Sequence, residues 1–165
     1  MQKLAALVVI ALLGSLILFG HRLVVNWTHS LPVGLYYWSD TPIKKESIVS
    51  FRPDPSIAQE QLGIERGYES PRLPLFKRVV AVEGDVVSIS PSGVTINGQL
   101  LANSAPQLRD EEGRELAMAQ LDSYKLKRGE VFLMGVTRTS WDSRYFGAVS
   151  LARCSGSFVP VFTWP

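Results

Sequence analysis

The sequence predicts a mainly β protein, a small antiparallel β core preceded by an N-terminal transmembrane helix. Three observations carry that prediction. The chain opens on an uncharged apolar stretch, short β-branched runs follow it, and turn residues stand densely between those runs.

The apolar stretch runs from Leu4 to Gly20, LAALVVIALLGSLILFG, and His21-Arg22 closes it. At about 1.5 Å per residue, a helix of this length approaches the roughly 30 Å hydrocarbon core of a bilayer. No face of the segment is polar, which disfavours a core helix of a soluble fold. Lys3 and the α-amino group provide a short positive flank for the cytoplasmic side. The exit, Leu18-Phe19-Gly20-His21-Arg22, lacks the pair of small residues that a cleavage site needs. An uncleaved anchor is therefore preferred to a cleaved signal peptide that would leave a soluble periplasmic protein. The expected division is an anchor or signal segment over residues 1–25 and a domain outside the cytoplasm over residues 26–165.

Beyond the anchor the apolar pattern shortens. Ile48 to Phe51 reads as a strand ended by Arg52-Pro53-Asp54-Pro55, and Phe76 to Ile89 is β-branched on both sides of Glu83-Gly84-Asp85. Val94-Thr95-Ile96 and Gln99-Leu100-Leu101 flank Asn97-Gly98, a pair that accepts the positive φ angles of a type I′ hairpin turn. Glu130 to Met134 and Ser157 to Phe162 complete the candidate strands; Pro160 puts the last one at a sheet edge or makes it irregular. Residues 54–72 and 102–123 are polar excursions with at most short helical turns, at Ile57 to Leu62 and Glu111 to Leu121. They are expected to border a substrate groove.

Composition excludes several functions. The chain has 165 residues, 17 Lys+Arg and 15 Asp+Glu, for a formal charge of +2, with no basic run long enough to grip nucleic acid. Cys154 is the one cysteine, so neither an intramolecular disulfide nor a Cys-rich zinc site can form. No histidine in the C-terminal half could activate it, and it reads as structural. There is no Gly-rich phosphate loop and no His/Cys/carboxylate cluster at metal spacing, so neither cofactor nor metal is expected.

For nucleophilic chemistry, a serine needs an adjacent base. The two histidines are His21, at the membrane boundary, and His29, next to Ser30. Adjacent side chains of an extended segment point to opposite faces, so His29 is badly placed to deprotonate Ser30. A lysine base remains, and its pKa must fall by desolvation to serve near neutrality. Lys44, Lys45, Lys125 and Lys127 sit in polar surroundings. Lys77 alone lies in an apolar run, between Leu75-Phe76 and Val79-Val80-Ala81-Val82. These residues alone leave Lys77 open between a buried base and a lysine that reaches solvent.

Three segments resemble the bacterial type I signal peptidase superfamily, most closely its TraF-type branch of conjugative transfer peptidases. Asn26 to Tyr37, NWTHSLPVGLYY, is similar to the nucleophile segment in its transfer-peptidase form. Phe76 to Val87, FKRVVAVEGDVV, resembles the lysine box. Ser140 to Val149, SWDSRYFGAV, resembles the third box, with Ala148 where a proline often follows Phe-Gly. Their order and spacing after an N-terminal anchor make the match specific over nearly the whole chain.

The resemblance implies a β fold of the signal-peptidase type and a serine–lysine dyad, with Ser30 as nucleophile and Lys77 as general base. It further implies an oxyanion site at the Ser30 N–H with a neighbouring hydroxyl such as Thr28. Asp142 is implied either as the group that steers or deprotonates an attacking amine, or as a structural ion-pair partner of Arg144. The implied substrate is a pilin precursor or another membrane-tethered protein at the bacterial inner membrane, cut and then either left linear or joined head to tail. A general signal peptidase and a non-catalytic pilus or secretion component are the alternatives. The final acceptor, water or amine, stays open.

Overall fold

The computed structural model describes residues 20–70 and 72–164, so the expected membrane helix, on residues 1–19, falls outside the described part. Among the described residues no helix is long and apolar enough to cross a membrane. The architecture is mainly β, built from two antiparallel sheets. In chain order the strands are β1 (Leu23–Asn26), β2 (Gly34–Ser39), β3 (Ile48–Phe51), β4 (Leu75–Ala81) and β5 (Val86–Ser90). They continue with β6 (Gly93–Ile96), β7 (Gln99–Leu100), β8 (Tyr124–Lys125), β9 (Glu130–Met134), β10 (Val149–Ser150) and β11 (Cys154–Thr163). Two short helices, α1 (Ala58–Glu65) and α2 (Ser143–Phe146), lie between strands. The larger sheet runs β1-β2-β11-β3-β4-β9-β10 and the smaller β7-β6-β5-β8.

Strand β4 sits inside the larger sheet, between β3 and β9. A strand buried on both faces loses the polar alternation of a surface strand, and all of β4 except Arg78 is buried. Because side chains alternate, Leu75, Lys77 and Val79 share one face while Phe76, Arg78 and Val80 share the other. Leu75 and Val79 join Val49, Phe51, Val131, Leu133 and Val149 in one apolar cluster. On the other face Phe76 packs with Leu31, Tyr36 and Phe158, and Val80 with the apolar residues of β5, β6 and β9. Lys77 is thus drawn into the interior by the apolar residues on either side of it.

The sequence expectations meet the structure unevenly. The hairpin forms as expected, with Asn97 at φ 52° and Gly98 at φ 81°. Helix α1 covers the region expected to turn helical after Ile57. Residues 111–121 hold no helix, contrary to expectation. There the Asp110 carboxylate accepts the amide hydrogens of Glu112 and Arg114, and Gly113 at φ 78° closes a turn that ends in an Arg109–Glu115 bridge. Strand β11 lies between β3, which it pairs over Cys154–Phe158, and β2, which it pairs over Ser157–Thr163, so past Phe158 it has a partner on one side only and the expected irregularity falls at Pro160. Pro160 is tolerated because pairing to β3 ends at Phe158 and a bulge follows on the β2 side. The division expected at residue 25/26 falls inside β1: Leu23, Val24 and Val25 pair with β2 and belong to the sheet.

Candidate active site

Ser30 lies in the loop between β1 and β2. Asn26, 2% exposed at the end of β1, ties that loop to itself. Its Nδ2 donates to the carbonyls of Thr28, Leu31 and Pro32, and its Oδ1 accepts from the Thr28 amide and hydroxyl. Leu31 is buried in the cluster with Tyr36 and Phe76. The Ser30 carbonyl accepts the Val136 amide at 2.7 Å, which fastens the loop to the segment after β9. A buried residue, local hydrogen bonds and one long-range backbone bond hold Ser30 in place.

Lys77 reaches this loop from β4. Its Nζ stands 3.0 Å from Ser30 Oγ and 2.9 Å from Ser140 Oγ, and the two hydroxyl oxygens are 3.3 Å apart. Lys77 is 1% exposed. Burial lowers its pKa, because the ammonium form has lost its water; the carboxylates of Asp142 and Glu69 oppose that shift, and Arg144 adds to it. The net direction is toward a neutral amine. A neutral amine has one lone pair to accept the Ser30 proton and N–H groups to donate to Ser140. The geometry therefore suits proton removal from Ser30, with Ser140 fixing the direction of the amine.

The third box forms the wall opposite. Asp142 and Arg144 are both fully buried and paired, Nη2 to Oδ2 at 2.8 Å and Nε to Oδ1 at 2.8 Å. Asp142 also accepts the Gly135 amide at 2.9 Å and caps α2 by accepting the Arg144 amide. Arg144 spends its remaining donors on the carbonyls of Thr137, Arg138 and Ser140. Both carboxylate oxygens of Asp142 are thus occupied by donors from its own box. The pair holds the 135–140 turn that presents Ser140 to Lys77.

Gly135 makes this approach possible. A Cβ there would lie 2.6 Å from the Ser140 Cβ and 2.9 Å from the Ser30 carbonyl oxygen, and closer still to Ser140 Oγ. Gly135→Ala is expected to push Ser30 and Ser140 apart and lower kcat on the order of 10²-fold, the usual cost of misplacing reacting groups by about 1 Å. Wild-type turnover by a folded Gly135→Ala protein would contradict this placement.

A cavity of about 190 Å³ opens onto the dyad, lined by Ser30 and Lys77 together with Thr28, His29, Tyr68, Glu69, Leu75, Thr137, Thr139, Ser140 and Trp141. Tyr68, Thr139 and Trp141 also line a second cavity of about 310 Å³, whose far side is built from Gln107, Asp110 and Leu116. Both polar excursions therefore border cavities, residues 54–72 at the dyad itself and residues 102–123 at the adjoining space. Among the described residues no His/Cys/Asp/Glu group is arranged to hold a metal.

Of the residues singled out in the sequence, Ser30 and Lys77 meet, and Asp142 lies in the next layer rather than against Ser30's hydroxyl. His29 is exposed. The Thr28 hydroxyl bonds Asn26. Cys154 is half-buried, and burial pushes its thiol up to about 11, so it carries no thiolate at neutral pH. Two residues were given no role by the sequence. Ser140 opens the third box but has no feature that marks one serine among many. Glu69 stands in a polar stretch where a carboxylate reads as surface; only the packing around it shows otherwise.

The contact of Ser30 with Lys77, beside the third box, is an arrangement suited to a serine peptidase, and the class follows from the family match. The chain belongs to the family described as signal peptidase, peptidase S26, whose model matches residues 1–164. It is 38% identical over 99% of its length to a plasmid transfer protein TraF from Escherichia coli, covering 98% of that protein. A second Escherichia coli plasmid transfer protein TraF is 42% identical over 85% of this chain and 82% of its own length. A conjugal transfer protein TraF from Agrobacterium fabrum is 32% identical over 88% of this chain and 84% of its own length. Among solved structures, a signal peptidase I from Enterococcus faecalis superposes with a TM-score of 0.44 at 22% identity, over 72% of this chain and 98% of that one.

Proposed function

We propose that this protein is a membrane-anchored serine–lysine peptidase that matures a conjugative pilin precursor, Ser30 being the nucleophile and Lys77 the general base. The observation that carries the proposal is the contact of Lys77 Nζ with Ser30 Oγ at 3.0 Å, in surroundings that favour the neutral amine. The names of the relatives, plasmid and conjugal transfer proteins, support the place in conjugation.

In this reading Ser30 Oγ attacks the scissile carbonyl while its proton passes to Lys77. The oxyanion is received by the Ser30 N–H, joined by Thr28 if its hydroxyl turns from Asn26 to the substrate. Lys77 then protonates the departing amine, and an ester on Ser30 remains. Water or an amine of the substrate resolves that ester. Attack by the substrate's own N-terminal amine gives a head-to-tail ring. Asp142 contributes by holding Arg144 and Gly135, and through them the turn that presents Ser140.

The apolar N-terminal segment supports anchorage in the inner membrane, with the domain on the periplasmic face. So does an exposed aromatic group close to Ser30. Trp27 is 74% exposed and edge-on to Trp164 at 6.4 Å, and Phe162 lies 5.9 Å from Trp164. Aromatic side chains of this kind favour the lipid–water boundary. A substrate still tethered in the bilayer would present its cleavage site at that height.

Co-expression with the pilin encoded on the same element provides the test, read by mass spectrometry. The full-length protein should shorten the precursor, and Ser30→Ala should leave it intact. A cyclic product weighs one water less than the linear one. Processing by Ser30→Ala would sink the dyad; loss of Trp164-tagged protein from the membrane fraction would sink the anchor.

A further inference from the structure

The catalytic cavity contains a second titratable group that the dyad does not use. Glu69 follows α1, where the amides of Tyr68 and Glu69 both donate to the Gly63 carbonyl and fix the turn. The residue is 7% exposed and lines the same cavity as Ser30 and Lys77. Among the described residues neither of its carboxyl oxygens has a hydrogen-bond partner. The two other buried carboxylates on this side of the molecule are satisfied: Glu60 by Arg153 and the Asp54 amide, Asp142 by Arg144 and Gly135. Leaving a buried carboxyl unpaired is costly, so one that lines a cavity calls for a donor from the cavity, water or a group of a ligand.

We propose that Glu69 is the recognition residue for an amino group of the peptide substrate, bound in the catalytic cavity beside the acyl position of Ser30. The amino group comes from one of two sources, a basic side chain of the chain being cut or the free amine that takes over the acyl group. This rests on the Ser30–Lys77 peptidase reading and gives that site a substrate chemistry.

The electrostatics agree with the geometry. Burial pushes the Glu69 carboxyl up to about 8, with Lys77 opposing and Glu60 and Asp142 reinforcing the rise. A lysine side chain, with a pKa of about 10.4, enters as an ammonium and displaces the acid proton of Glu69 to solvent, leaving an ion pair. An α-amine titrates lower than a lysine side chain, at about 7.7–8.0, so a carboxylate whose proton affinity burial has raised is better able to take its proton. For the acceptor case the step balances as follows. Entry of the α-ammonium first displaces the Glu69 proton to solvent, and the carboxylate so formed takes one proton from the α-ammonium; the amine attacks the ester carbon and loses a second proton to Lys77. Lys77 returns that proton to Ser30 Oγ as the C–O bond breaks, and Glu69 is left protonated, as before entry.

The test uses the full-length protein in detergent micelles and two peptide thioesters, identical except for lysine or norleucine at one of the three positions before the thioester. Thiol release gives kcat/KM for each. Glycinamide serves as free amine, and the ratio of amide to acid product is read by mass spectrometry. The wild-type protein should favour the lysine thioester, or show saturable transfer to glycinamide, by about tenfold or more, the size of one charge-assisted hydrogen bond. Glu69→Gln should reduce that preference to within about twofold, and Glu69→Asp should restore part of it. The arm that collapses identifies the source of the amine. Each readout is a ratio on one preparation, so partial unfolding of a variant cancels. Equal ratios in wild type and Glu69→Gln in both arms overturn the inference while leaving the dyad intact. Thiol release that does not depend on Ser30 overturns the dyad and the inference with it.

Discussion

Replacing Lys77 by methionine is expected to lower kcat on the order of 10⁴- to 10⁶-fold, the scale on which removing a base or nucleophile disables a serine hydrolase, and to leave the protein folded. Serine is almost fully protonated at neutral pH, and no other base stands within hydrogen-bond reach of Ser30 Oγ among the described residues. Methionine fills nearly the same volume between Leu75 and Val79 and buries no ionisable group, so the melting temperature should hold or rise. The pH profile separates this from a structural effect. On the proposed mechanism the active form is neutral Lys77, so kcat of the wild type should rise with pH through the depressed lysine pKa and then level off. The residual rate of Lys77→Met should lack that limb. Wild-type turnover by Lys77→Met at pH 7 would remove lysine from the mechanism.

The second large effect is on stability. Arg144→Ala should destabilise the fold by about 3–5 kcal/mol, since breaking a buried ion pair strands its partner charge. For a chain of this size that is a fall in melting temperature of roughly 10 °C. Arg144 is fully buried, pairs with Asp142 through two nitrogens, and satisfies the carbonyls of Thr137 and Ser140. Lysine cannot reproduce a planar fork, so Arg144→Lys should recover only part of the loss. The double replacement Arg144→Met with Asp142→Asn removes both charges and should cost less than the sum of the single ones. Activity should fall with the fold in every case, because the same residues hold the Ser140 turn. Full additivity would show that the pair does not act as a unit.

Much of the fold was legible because its signals are local. The Asn97-Gly98 turn needs only a residue pair that accepts positive φ, and the runs at 48–51 and 130–134 coincide with β3 and β9. Where neighbours in space decide, local signals failed. Strand β2 falls inside the segment that resembles the nucleophile segment, and Tyr36-Tyr37-Trp38 shows no alternation that separates a core face from an exposed one. The structure divides them, with Tyr36 buried and Trp38 45% exposed. Pro160, by contrast, was a local signal that held: it argued for an edge or an irregular strand, and at that point pairing to β3 has ended and a bulge follows on the β2 side. Residues 111–121 were a candidate for at most a short helical turn, but Asp110 accepts the amides of Glu112 and Arg114 and closes a tighter turn instead.

The sequence by itself determined the kind of chemistry available. Histidine was absent where a base was needed, and a single lysine stood in an apolar run. Three motifs in order tied that lysine to Ser30. Residue type and one-dimensional spacing suffice for the first two statements; the third rests on the resemblance of those motifs to a known family. Only the tertiary structure decided how far Lys77 is desolvated, that Ser140 is its second partner, and that Asp142 is spent on Arg144 and Gly135. The same holds for Glu69, an ordinary glutamate in the sequence and an unpaired buried acid in the fold. Desolvation and hydrogen-bond satisfaction are set by groups distant in sequence: the fold brings Ser30, Lys77 and Ser140 within 3.3 Å of one another, and only there does burial lower the lysine's pKa.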